Sequence, residues 1–130
     1  MIVPARRQYR VVTETNVPMK TRDGVTLFAD VARPDREQRF PVLLSRTPYG
    51  KQGVEDPNGS PQLFARYGYV AIVQDCRGRF ESEGDYDTIF QEITDGYDAV
   101  EWAARLPWSN GRVGTMGQSY LGLTQYMICL

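Results

Sequence analysis

The sequence predicts an α/β fold, a parallel sheet of βα units fronted by an antiparallel strand pair. Three observations carry this. From residue 41 onward, short apolar runs alternate with segments of helical spacing, strand-helix-strand-helix-strand-helix, the pattern of a parallel sheet covered by helices. Ahead of them lie two strand-like segments joined by a tight turn. The composition is that of a globular chain, with 130 residues, 42% hydrophobic and 24% charged. A chain of this length buries about two-thirds of its unfolded surface in one core.

Tyr9 to Thr15 is rich in valine and threonine and reads as the first strand. A turn at Arg22-Asp23-Gly24 leads into Val25 to Val31, which alternates in part and pairs with the first strand. Pro34 to Arg39 is a polar loop, and Pro41 to Ser45 an apolar run of the buried kind. Thr47 to Ser60 reads as a long loop. Ser60 and Pro61 are an N-cap and first-turn proline for a helix Pro61–Tyr67, and Gly68 follows as its stop. Tyr69 to Gln74 is apolar enough to be buried on both faces.

After the charged loop Asp75 to Asp87, Ile93, Tyr97, Val100 and Ala104 recur at helical spacing and predict the buried stripe of a helix. Glu101 and Arg105 form an i,i+4 pair on another face, and the helix carrying Tyr97 and Trp102 reads as core and sheet cover. Pro107 ends it, and Asn110-Gly111 makes a turn. Val113 to Met116 is a short strand and Tyr120 to Leu130 the opening of a helix. That helix stops without a cap, glycine or charged tail. The expectation is a domain interrupted at its C-terminus, with Val113–Met116 exposing an unpaired, aggregation-prone edge.

Composition removes several functions. Basic and acidic side chains number 15 and 16, so there is no electrostatic footprint for nucleic acid or an anionic membrane. No apolar stretch reaches the ~18 residues of a spanning helix. Met1 to Arg10 has two early arginines without an apolar h-region, which argues against a secretory signal and for a cytoplasmic protein. Cys76 and Cys129 are far apart and read as buried or idle thiols in a reducing compartment. The chain has no histidine, which removes His-ligated metal sites and the usual general base.

The chemistry concentrates in Gly117-Gln118-Ser119-Tyr120-Leu121-Gly122, at a strand-to-helix turn. A serine between small residues there has the geometry of a nucleophile elbow, its hydroxyl raised above the sheet and the helix N-terminus favouring developing negative charge. Glycines answer to the close approach of strand and helix. A strict G-x-S-x-G would have glycine at 121, where leucine stands. Taken alone, the segment is either an elbow or a glycine-rich turn. Gly117 to Thr124 also approaches the phosphate-binding G-x-x-x-x-G-K-[ST], but leucine replaces the lysine that reaches the phosphates. Glu81, Glu83, Asp85 and Glu92 fall at calcium-loop positions. Tyr86 stands where that loop needs glycine, so a solvated acidic loop is the better reading.

With Ser119 placed, other segments fall into order. They are Asn16-Val17-Pro18-Met19 with Arg22-Asp23-Gly24-Val25, Ser45-Arg46-Thr47-Pro48-Tyr49, Gln74-Asp75-Cys76-Arg77-Gly78 with Ser82-Glu83-Gly84, and Pro107 to Gly114. From about residue 16 onward the chain resembles the amino-terminal part of the cocaine-esterase and X-Pro dipeptidyl-peptidase-like α/β-hydrolases, a group that includes the α-amino-acid ester hydrolases. In that group a glycine three residues after the serine is usual.

The resemblance implies an α/β-hydrolase fold that stops after the elbow helix, residues 1–130 being the front of the catalytic domain. It implies Ser119 as nucleophile, the Tyr49 hydroxyl and the Tyr120 backbone N–H as oxyanion donors, no cofactor, and a small-molecule or short-peptide ester or amide substrate. The triad acid and histidine of such enzymes follow the serine, so both would lie beyond Leu130, and the isolated chain is expected to be inactive or a remnant. Asp75 and Arg77 are expected to form a loop-fixing ion pair.

Overall fold

A computed structural model describes residues 8–53 and 60–130. Most of Met1–Arg10 and the middle of the loop between Thr47 and Ser60 lie outside them. The elements are β1 (Val11–Lys20), β2 (Thr26–Pro34), β3 (Phe40–Thr47), a 3-10 turn (Lys51–Gly53), α1 (Pro61–Arg66), β4 (Val70–Asp75), α2 (Gln91–Arg105), β5 (Ser109–Thr115) and α3 (Tyr120–Ile128). Five strands form one sheet in the order β1-β2-β4-β3-β5. β1 and β2 are antiparallel, β2 is antiparallel to β4, and β3 is parallel to both β4 and β5. This is the antiparallel front and parallel continuation that the alternating pattern predicts.

Local chemistry explains the boundaries. The Ser60 side chain accepts the Leu63 N–H at 3.3 Å, with Pro61 in the first turn of α1, so a side-chain cap and a preset φ start this helix together. β4 is buried at every position, as its continuous apolar run predicts. Asn110-Gly111 does not end an element. It is an irregularity inside β5, where Phe40 pairs with Ser109 but Val42 pairs with Val113. The Asn110 side chain accepts the Arg112 N–H at 3.1 Å, so a local turn sits within the strand as a bulge.

The main core is one sheet face under α2. Leu27, Ala29 and Val31 from β2, Phe40, Val42 and Leu44 from β3, and Val70 and Ile72 from β4 meet Ala99 and Ala103 of α2. α1 lies against β1, β2 and β4, whereas α2 and α3 lie against β3 and on each other. The buried face of α2 is not the predicted one. Glu92, Asp95, Gly96, Ala99 and Ala103 are buried, while Ile93, Val100 and Ala104 are only half-buried and Tyr97 is 53% exposed. Trp102 packs on the core as expected; Tyr97 instead lies beneath the Arg22 guanidinium, 5.5 Å from its ring centre. The face turned inward carries carboxylates because it meets buried arginine.

That arginine follows from strand periodicity. The apolar rows Phe40-Val42-Leu44 and Val70-Ile72 each continue two residues further, to Arg46 and Gln74, at the carboxyl ends of β3 and β4. The two are register partners in the parallel pair, and Arg46 Nε donates to Gln74 Oε1 at 2.8 Å. The core therefore turns polar where the parallel strands end, the end at which open α/β sheets place their sites.

Candidate active site at the carboxyl ends of the parallel strands

Ser119 stands between β5 and α3 with φ 57° and ψ −126°. A non-glycine residue in this region costs ~1–3 kcal/mol and persists only where the surroundings fix it. Gly117, two residues earlier, has φ 132°, and a Cβ there would overlap that of Leu121. Glycine is obligatory at 117 because strand and helix meet there. At Gly122 a Cβ would meet only the Gly117 carbonyl oxygen at 3.6 Å, an ordinary contact, so close approach does not explain that glycine. The leucine in place of the strict motif's glycine fits because Gly117 leaves room for it.

Ser119 is exposed and its side chain makes no capping bond to α3. Leu121 N–H donates to Gln118 O at 3.1 Å and Leu123 N–H to Ser119 O at 3.0 Å. Tyr120 is the first residue of α3, among those whose N–H groups have no acceptor within the helix. Its side chain is anchored: the hydroxyl accepts the Ile89 N–H at 3.2 Å and lies 3.5 Å from Glu92 Oε1. Burial, then a hydrogen bond with Tyr86, raises the Tyr120 hydroxyl above the usual phenol range. The Tyr49 and Tyr86 rings each lie 6.4 Å from that of Tyr120, so the loop after β3 reaches the elbow.

Tyr49 is 59% exposed, on a loop tied down around it. Its N–H donates to Thr47 Oγ1 at 3.0 Å, and Arg79 Nε donates to the Pro48 carbonyl at 2.9 Å. The Lys51 N–H and ammonium both bind the Asp75 carboxylate, at 2.8 and 3.2 Å. Asp75 thus fixes the loop that carries Tyr49. The expected Asp75–Arg77 pair does not form. Asp75 is fully buried and turned to Lys51, while Arg77, past the end of β4, binds Asp95 of α2 at 2.7 Å and Asp23 of the β1–β2 turn at 2.9 Å. The Arg77 hydrogen bonds, then that of Thr21, hold the Asp23 carboxyl well below the usual range.

Beneath the loops lies a buried polar cluster that sequence reading does not reveal. The Arg46 guanidinium pairs with Glu92, whose other oxygen accepts Gln91 Nε2 at 3.2 Å. Cys76 is wholly buried, and burial pushes its thiol far above the ordinary thiol range. Gln125 is a further residue of the elbow: its amide binds Gly117 O at 2.9 Å, Leu121 O at 3.2 Å and Thr115 Oγ1 at 3.2 Å. Its sequence signal is faint, a polar side chain one helical turn after Leu121. Of the calcium-loop positions, Glu92 is committed to Arg46 and Glu83 to the Thr26 N–H at 3.1 Å. Among the described residues no three His, Cys, Asp or Glu side chains are grouped to hold a metal.

A sheet of this order, with a strained serine at the strand-to-helix turn after β5, defines an α/β-hydrolase. The X-Pro dipeptidyl-peptidase (S15 family) profile matches residues 23–130. The chain belongs to that family. It is 40% identical over 121 residues to cocaine esterase from Rhodococcus sp. (strain MB1 Bresler), covering 91% of this chain and 21% of the relative. A CocE/NonD family hydrolase from Staphylococcus aureus superposes with a TM-score of 0.85 at 29% identity, over 91% of this chain and 25% of that one. An α-amino acid ester hydrolase superposes at 0.77 with 30% identity, over 98% and 24%. The chain spans 21–23% of the length of the curated relatives it matches. No helix among the described residues is long and apolar enough to cross a membrane.

Proposed function

We propose that this chain supplies the nucleophile half of a cytoplasmic serine hydrolase that cleaves ester or amide bonds of small molecules or short peptides, X-Pro dipeptidyl bonds among them. The observation that carries the reading is the backbone of Ser119, held at φ 57° and ψ −126° between β5 and α3. The Ser119 hydroxyl attacks the substrate carbonyl carbon as its proton passes to a base. The Tyr120 N–H and the Tyr49 hydroxyl donate to the oxyanion. Collapse expels the alcohol or amine and leaves an acyl ester on Ser119, which water then cleaves.

Residues 1–130 are the front of the catalytic domain in this reading. They contain no histidine, and in α/β-hydrolases the acid and histidine follow the serine, so the base comes from outside this sequence. A non-catalytic remnant is the second reading, and the missing histidine is common to both. Assays with p-nitrophenyl esters and a fluorophosphonate probe separate the two. The 130-residue chain is expected to give neither turnover nor useful labelling. The intact gene product is expected to give both, and to lose both in Ser119→Ala. Activity indifferent to Ser119→Ala overturns the nucleophile assignment, and an inert gene product leaves the remnant reading.

A further inference from the structure

Ser119 departs from ordinary backbone without a side-chain cap to start α3, so its conformation is held by what lies around the turn. Gly117 and Leu121 interlock sterically on one side. Tyr120 is anchored through its hydroxyl on another. The third restraint is Gln125, half-buried on α3. Its Nε2 donates to the carbonyls of Gly117 at 2.9 Å and Leu121 at 3.2 Å, and its Oε1 accepts from Thr115 Oγ1 at 3.2 Å. One amide group thus joins the last residue of β5, the glycine of the turn and the first turn of α3. These three pieces flank Ser119, and their relative placement sets its φ and ψ.

We propose that Gln125 is a positioning residue of the Ser119 elbow, holding the serine where its hydroxyl can attack and the Tyr120 N–H where it can receive the oxyanion. The amide suits this use because it offers donors and an acceptor from one planar group. A carboxylate in its place keeps the acceptor for Thr115 and sets negative oxygen against two carbonyls. A rate that depends on attack geometry falls when such a support is lost, because small displacements of the reacting atoms are costly.

The kinetic part of this inference rests on the serine-hydrolase reading. The structural part does not. The test uses the intact gene product carrying Gln125→Glu or Thr115→Val, with active sites counted by fluorophosphonate titration and amide exchange followed by mass spectrometry. In Gln125→Glu, kcat per titrated site is expected to fall about tenfold with KM unchanged, equal to about 1.4 kcal/mol. Thr115→Val, which loses one bond, is expected to cost about threefold. Amides of residues 117–123 are expected to exchange about tenfold faster in Gln125→Glu while those of β3 and β4 keep their rates. A generally destabilised fold would instead speed exchange throughout and leave kcat per titrated site intact, and either result overturns the proposal. Should Gln125→Glu not fold, Thr115→Val decides, a wild-type rate per site overturning it. If hydrolysis proves indifferent to Ser119→Ala, the function reading fails while the exchange measurement still judges Gln125.

Discussion

Arg46 and Glu92 form an ion pair wholly inside the protein, their side chains 1% and 0% exposed. It joins the end of β3 to the first turn of α2, and the second Glu92 oxygen lies 3.5 Å from the hydroxyl of Tyr120, the first residue of α3. Gln74 and Gln91 supply further bonds to the two partners. Removing one member of such a pair strands a charge in the interior, whereas replacing both with apolar groups can be almost neutral. Glu92→Leu is expected to lower unfolding free energy by about 3–5 kcal/mol, read from urea denaturation. Arg46→Met with Glu92→Leu should cost far less than the two single changes added together. Additive losses would show that the pair is not coupled.

Cys76 and Cys129 are both free, one buried at the end of β4 and one exposed after α3. Burial is the main cause of the raised Cys76 thiol, and a protonated thiol inside the fold is a poor nucleophile. Ellman's reagent should therefore titrate Cys129 quickly in the folded 130-residue chain and Cys76 only after unfolding. Equal rates for the two thiols in native protein would contradict the burial of Cys76.

The pattern of elements was legible because it is local: apolar runs, a serine-proline start, glycine stops. The fold class also agrees with the resemblance. What was not legible depends on partners distant in sequence. Asp75 and Arg77 are two residues apart, and proximity suggested a pair, yet their partners are Lys51, Asp95 and Asp23 on other elements. The buried stripe of α2 departs from its apolar periodicity for the same reason. Glu92 and Asp95 look like solvent residues until Arg46 and Arg77 are known to face them. Gln125 binds two backbone carbonyls and a hydroxyl, and backbone partners leave no trace in hydrophobic periodicity.

Arg77 links the β1–β2 turn to α2 through Asp23 and Asp95, and Arg22 does so through Asp98 at 2.7 Å. The Asp23 and Asp98 carboxyls are both lowered, chiefly by hydrogen bonds from Arg77 and Arg22 respectively. In the window between folded and unfolded pKa the unfolded chain binds more protons, so stability falls as pH falls there. The contribution is complete above about pH 4, the unfolded aspartate value, and is lost on acidification through the folded pKa. Thermal unfolding followed from pH 6 to pH 2 should show a shallower acid decline in Asp23→Asn than in wild type. Superimposable slopes would remove Asp23 from the acid response.

Tyr49 offers the sharpest separation between a packing residue and an oxyanion donor. Its ring lies edge-on to Tyr120 at 6.4 Å, and its loop is fastened by Arg79 at Pro48 and by Asp75 at Lys51. Phenylalanine keeps the ring and that contact and removes only the hydroxyl. If the hydroxyl stabilises the oxyanion, Tyr49→Phe in the intact gene product lowers kcat by about 10²–10³-fold, as loss of one such donor does elsewhere. KM should move little, because the bond strengthens only as negative charge develops. A Tyr49→Phe enzyme with wild-type kcat would assign the ring to packing and leave the Tyr120 N–H without its partner donor.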